Sequence, residues 1–146
     1  MLTNVYGVPQ QIYAPNPSPK VTDSAGSFYY VRPLARIEPT AIRLGLPVNA
    51  QYGYTDINGL QAELVGNSSV TSTVFVACEH LKLRELVQNL MNAYGGGAAV
   101  PAWASDDYDS LYVVRLTNIG GTITATFQHD FEGLNGLSTR ARSATD

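Results

Sequence analysis

The sequence predicts an α+β domain, mostly β: a sandwich or rolled antiparallel sheet of about six to eight strands, one packed helix and an extended N-terminal arm. Three observations carry this expectation. A β-branched run, Val70–Val76, leads directly into an amphipathic stretch, Glu79–Tyr94. Two strictly alternating segments, Leu111–Thr117 and Thr122–Gln128, flank Asn118-Ile119-Gly120-Gly121. Ahead of both, Met1–Gly26 carries Pro9, Pro15, Pro17 and Pro19. The expected organisation is an arm over 1–26, one β-rich domain over 27–132 and a loose tail over 133–146.

The arm comes first. Proline fixes φ and lacks a backbone donor, so a segment this rich in it reads as neither helix nor inner strand. Its apolar residues, Tyr6, Ile12 and Tyr13 among them, are too many for a linker and suit contact with a neighbouring subunit; folding back on its own domain is the other outcome. Ser27–Arg32 (SFYYVR) is a strand by composition, apolar on both faces, so it is either buried on both sides or lends one face to a partner. Leu34–Ile37 and Ala41–Leu46 read as extended, broken at Glu38-Pro39. Pro47–Asn58 is a loop in which Tyr52 and Tyr54 bracket Gly53. Asn58-Gly59 is a hairpin signal with Leu60–Val65 as the next strand.

In Glu79–Tyr94, Leu83, Leu86, Val87, Leu90, Met91 and Tyr94 recur at i, i+3, i+4 and i+7, the stripe of a surface helix packed on a core. Gly95-Gly96-Gly97 stops it. The closing hairpin places Tyr112, Val114, Leu116, Ile123, Ala125 and Phe127 on a dry face, and Thr122, Thr124, Thr126 and Gln128 on a wet one.

Composition narrows the function. Charged residues make up 14% of the 146, against roughly 25% in soluble domains, and a surface with little charge resists self-association poorly. The net charge of −3 disfavours a general nucleic-acid binder. Over 1–46, Lys20, Arg32, Arg36 and Arg43 outnumber Asp23 and Glu38; over 105–132, Arg115 faces Asp106, Asp107, Asp109, Asp130 and Glu132. A basic face on one copy could meet an acidic face on another, or both could be solvated. Cys78 is the single cysteine, which gives an oxidising destination no support. MLTNVYGVPQQ lacks the basic and apolar regions of a secretory signal, and no run approaches a membrane span. A cytoplasm, or a particle packaged from one, is the expected location.

No motif names a reaction. Asp106, Asp107 and Asp109 could ligate a hard cation, but the EF-hand glycine and glutamate are missing, and an acidic surface loop is the simpler reading. Cys78 and His80 point apart at a helix start, and nothing in the sequence brings His129 to the thiol. Gly95-Gly96-Gly97 follows a helix, whereas a phosphate loop precedes one. Arg32, Arg36 and Arg43 beside Phe28, Tyr29 and Tyr30 could hold single-stranded nucleic acid, with salt bridges as the commoner use. No metal or cofactor is expected.

The order of strands, mid-chain helix and closing hairpin resembles that of small bacteriophage virion proteins: capsid, head-decoration and tail-tube subunits. The resemblance lies in architecture and composition and carries no motif, so it transfers no functional residue. It implies a non-enzymatic subunit that assembles with copies of itself and with other virion proteins. Candidate contact residues are Tyr6, Ile12, Tyr13, Arg32, Arg36, Arg43, Tyr52, Tyr54, Trp103, Asp106, Asp107 and Asp109. Two other classes stay open: a monomeric module binding carbohydrate or protein through Tyr52, Tyr54 and Trp103, and a small enzyme using Cys78, His80 or His129.

Overall fold

In chain order the elements are α1 (Leu2–Tyr6), β1 (Gln11–Tyr13), β2 (Lys20–Asp23), β3 (Gly26–Tyr29), α2 (Arg32–Leu44), β4 (Val48–Asn49), α3 (Ile57–Gly66), β5 (Val74–Val76), α4 (His80–Tyr94), β6 (Ser110–Ile119) and β7 (Thr122–Phe131). The structure, a computed structural model, describes residues 2–69 and 71–133. The expected tail lies, from residue 134 on, outside the described residues. The class is α+β. In place of a sandwich around one helix, the described residues form four α-helices and three small sheets: a parallel one ordered β4-β1-β5, and the antiparallel hairpins β2–β3 and β6–β7. No helix among the described residues is long and apolar enough to cross a membrane.

Helix α4 is the centre of the packing. The Glu79 carboxylate accepts from the Lys82 amide at 3.2 Å, capping a helix N-terminus whose dipole favours a negative charge. The Gly95 amide closes the other end on the Met91 carbonyl at 2.8 Å. Between these caps the apolar stripe divides. Leu86 and Leu90 pack with Tyr13, Ile57 and Leu60, while Val87 and Met91 pack with Val100 and Ala125. Each buried side chain of this size contributes roughly 1.5–3 kcal/mol. One helix thus joins the parallel sheet and α3 to the long hairpin, with Tyr94, Val114 and Leu116 touching both clusters.

The closing hairpin agrees with its sequence pattern and extends beyond it. Ten consecutive pairs run from Ser110↔Phe131 to Ile119↔Thr122. Gly120 and Gly121 have φ of 59° and 87°, the two positive values that a two-residue type I′ turn requires. Thr122, Thr124, Thr126 and Gln128 are exposed, as their alternation predicts.

Four expectations are corrected. Pro9 and Ile12–Pro15, assigned to the arm, are buried in the interior. Ile12 pairs with Val48 on one side and Phe75 on the other, and Ile12 and Tyr13 are 1% and 2% exposed. Pro9 and Pro15 bracket a strand whose own three donors are intact, so these prolines delimit the strand instead of excluding it. Residues 32–44, expected as two extended pieces, are the single helix α2. Leu34, Ile37, Ala41 and Leu44 turn to its inner side while Pro39 lies on the exposed side, and Pro33 sits in the first turn, where its missing donor costs nothing. Bonds from Gly45 N to Ile42 O and from Leu46 N to Ala41 O close its C-terminus.

Asn58-Gly59, read as a hairpin turn, lies in the first turn of α3. The Asp56 carboxylate accepts from the Gly59 amide at 3.0 Å, an N-cap that outcompetes the turn. The strand expected over 27–32 ends at Tyr29, and Arg32 opens α2.

Candidate interaction surface

The residues best suited to chemistry gather where β6 and β7 open. Ser110 is buried; its Oγ lies 2.7 Å from His129 Nε2 and makes a short bond to Asp107 Oδ2. Asp107 Oδ1 accepts from the amides of Asp109, at 2.9 Å, and Ser110, at 3.0 Å. These bonds hold the Asp107 carboxyl below its usual range, the Ser110 hydroxyl contributing most. Serine has one proton, and the ionised carboxylate takes it. His129 Nε2 therefore donates to Ser110 and is not positioned as its base. A nucleophilic triad puts the imidazole between serine and carboxylate; here the serine is in the middle. The cluster fastens the 103–110 loop to the hairpin.

The Cys78–His80–His129 combination does not assemble. Burial pushes the Cys78 thiol up to about 11, away from the thiolate range that a nucleophile needs. His80 Nδ1 lies 2.7 Å from Glu79, and His129 is engaged by Ser110. The small cavity lined by Tyr13, Tyr52, Ile57 and Cys78 holds about 20 Å³, room for one water. Among the described residues no three His, Cys, Asp or Glu side chains are grouped to hold a metal ion.

The predicted contact residues separate into core, latches and surface. Ile12 and Tyr13 are core residues and present no surface. Tyr52 packs on the cluster around Tyr13, and the Tyr54 ring lies 5.4 Å from that of Tyr30. Trp103 donates to the Asp107 carbonyl at 2.9 Å with its ring 4.7 Å from Tyr112. Each of these aromatics is tied to a different neighbour. Asp107 caps the loop, and Asp109 is buried. Tyr6 donates to Asp130, so the start of the arm folds back on its own domain. Arg36 donates to the Tyr108 carbonyl at 3.3 Å, with its guanidinium 5.9 Å from that ring, and its charge acts on the Glu132 carboxyl, so part of the expected charge pairing is met within the chain. Arg32, Arg43 and Asp106 are on the surface.

The surface that stands out is the β2–β3 hairpin. Its strands pack chiefly on each other. Lys20↔Tyr29 and Thr22↔Ser27 share one face, where the Lys20 ammonium lies 5.0 Å from the Tyr29 ring and the two hydroxyls are 3.2 Å apart. Val21↔Phe28 share the other. Phe28 is 51% exposed and Tyr29 60%. A two-stranded ribbon needs a covered apolar face to be stable alone, and the described residues leave Phe28 half exposed. The sequence signal for this was the double-sided apolar character of SFYYVR, which allowed a face lent to a partner. A second exposed set comprises Tyr108, Phe131 and Glu132 beside Asp106 at the open end of β6–β7. Neither a protein-family model, nor a curated protein, nor a solved structure matches the chain.

Proposed function

We propose that this chain is a non-enzymatic structural subunit that assembles with copies of itself, and that the assembly is a bacteriophage virion component of the capsid, decoration or tail class. The observation that carries the self-assembly is the β2–β3 hairpin, whose Phe28 and Tyr29, one on each face, stay more than half exposed among the described residues. Apolar faces of this kind are stabilised by a partner, and aromatic residues are the ones enriched at such contacts. The low share of charged residues, 14%, supports the same reading. The virion assignment adds the resemblance in composition and, of the expected element order, the mid-chain helix α4 and the closing hairpin; helices α2 and α3 replace strands that the resemblance also included. The proposed working location is the virion, with synthesis in a host cytoplasm. Light scattering behind size-exclusion chromatography over a range of concentrations tests the reading. Mass rising with concentration is expected; a strict monomer at high concentration overturns it. Electron microscopy of the associated material then tests the virion assignment, which predicts regular shells, rings or tubes; amorphous aggregate counts against it.

A further inference from the structure

We infer that Asn58-Gly59 is a latent deamidation site, and that the Asp56 carboxylate keeps it closed while the first turn of α3 is formed.

The chemistry needs these two residues and water. The Gly59 nitrogen, once hydroxide has taken its proton, attacks the carbonyl carbon of the Asn58 side chain. A new C–N bond closes a five-membered succinimide, and the side-chain nitrogen leaves as ammonia after taking a proton from water. Water then opens the ring at either carbonyl and leaves aspartate or isoaspartate at position 58. In sum an amide and a water become a carboxyl and ammonia, with no oxidant or cofactor. Glycine is the neighbour that obstructs the attack least, because it has no Cβ beside the nucleophilic nitrogen.

Exposure leaves the site open and the backbone closes it. Asn58 is exposed, so water and hydroxide reach its side chain. Gly59 N, however, donates to Asp56 Oδ1 at 3.0 Å. Taking its proton would set a nitrogen anion against the carboxylate that now accepts from it, and a neighbouring like charge opposes that ionisation. Asn58 also lies within α3, Ile57–Gly66. Ring closure turns its ψ away from the helical value of about −42°, so the first turn must open before the bond can form. Packing holds that turn as well, since Ile57 and Leu60 on either side of the pair are buried with Tyr13, Leu86 and Leu90. Isoaspartate adds a methylene to the main chain, so a turn that has reacted cannot close again in the same way. Each lasting opening of α3 is thereby written into the chain as a covalent mark.

Peptide mapping by mass spectrometry tests this on the full chain, held at mildly alkaline pH either folded or unfolded in guanidinium chloride. The readout is the exchange of NH for O at position 58, which mapping separates from the second such pair, Asn135-Gly136. The folded chain should react at least about tenfold more slowly at Asn58 than the unfolded one. Asp56→Ala should raise the folded rate about fivefold, the gain in open turn when a cap is lost. Asp56→Asn keeps a capping acceptor without the charge, so it should fold normally and still react faster than the unaltered chain. Ser110→Ala, which loosens a latch elsewhere, should leave the rate unchanged. Equal folded and unfolded rates overturn the inference, and so does a failure of both Asp56 variants to speed the reaction. Acceleration by Ser110→Ala equal to that by Asp56→Ala also overturns it, because protection would then belong to the whole fold and not to the cap.

Discussion

Ser110 Oγ lies 2.7 Å from His129 Nε2, and the same oxygen is bonded to Asp107 on its other side. The carboxylate fixes the serine proton, the serine fixes the imidazole, and the loop carrying Trp103 and Tyr108 is fastened to the hairpin. Folding holds the Asp107 carboxyl below its unfolded value, first through the Ser110 hydroxyl and then through the Asp109 amide. A carboxyl lowered on folding stabilises fully above its unfolded pKa, near ~3.9, and loses that contribution as pH falls through the folded value. Urea midpoints of the unaltered chain should therefore drop below about pH 4, and Asp107→Asn should flatten that part of the curve. Ser110→Ala removes the bonds to Asp107 and His129 and should lower the urea midpoint at neutral pH. No loss in Ser110→Ala would show that the latch does not hold the loop.

Tyr6 makes a parallel case at the other end of the chain. Its hydroxyl donates to Asp130, and this bond, followed by one from Gln128, holds the Asp130 carboxyl below its usual range. Tyr6→Phe removes the larger of the two causes. The Asp130 carboxyl should then titrate at higher pH, as read from its side-chain carbon shift in NMR. An unmoved titration would mean that α1 does not lie on β7 in solution.

What could be read in advance follows from the range of the forces involved. Helix α4 and the β6–β7 hairpin were legible because their periods and stops are local: Glu79 caps, Gly95-Gly96-Gly97 ends, Gly120-Gly121 turns. Strand β1 was not, because Gln11–Tyr13 is a strand only by virtue of Val48 and Val74–Val76, 36 or more residues away in sequence. In α2 the spacing of Leu34, Ile37, Ala41 and Leu44 was present, but Pro39 masked it. At 58–59 two local rules competed, and the Asp56 cap prevailed over the Asn-Gly turn. The Asp107–Ser110–His129 latch was illegible because its members meet only through the register that pairs Tyr112 with His129. The hairpin surface was legible in part, as the double-sided strand SFYYVR, without its exposure or its boundaries.

Gly59 tests the α3 assignment against propensity. In a helix interior, alanine is favoured over glycine by about 1 kcal/mol. A Cβ at Gly59, however, would lie 2.8 Å from both Asp56 Oδ2 and Tyr52 Cε1. Displacing the cap and a ring packed on the core should outweigh the propensity gain, so Gly59→Ala is expected to destabilise by about 1 kcal/mol or more. Chemical denaturation measures this, and a stabilised variant would place Asp56 elsewhere.

Cys78 should behave as a packing residue. With its thiol pushed up to about 11 by burial, the thiolate is scarce at neutral pH. Iodoacetamide at pH 8 should modify the folded protein at least about tenfold more slowly than the urea-unfolded chain. Equal rates in the two states would contradict the half-buried position.

Pro39 offers the sharpest test of α2, because the extended and helical readings give opposite answers. Pro39 has no N–H to give to the Ala35 carbonyl, and its ring crowds that turn; an interior proline costs a helix about 3 kcal/mol. Its side chain is exposed, so replacing it removes little packing. Pro39→Ala should therefore stabilise the protein, by about 1–3 kcal/mol after the helix has relaxed around the proline, seen as a raised urea midpoint. Amide exchange across 36–43 should slow in parallel. In an extended segment the same substitution would instead enlarge the conformational freedom of the unfolded chain and lower the midpoint. A fall would return residues 32–44 to the extended reading.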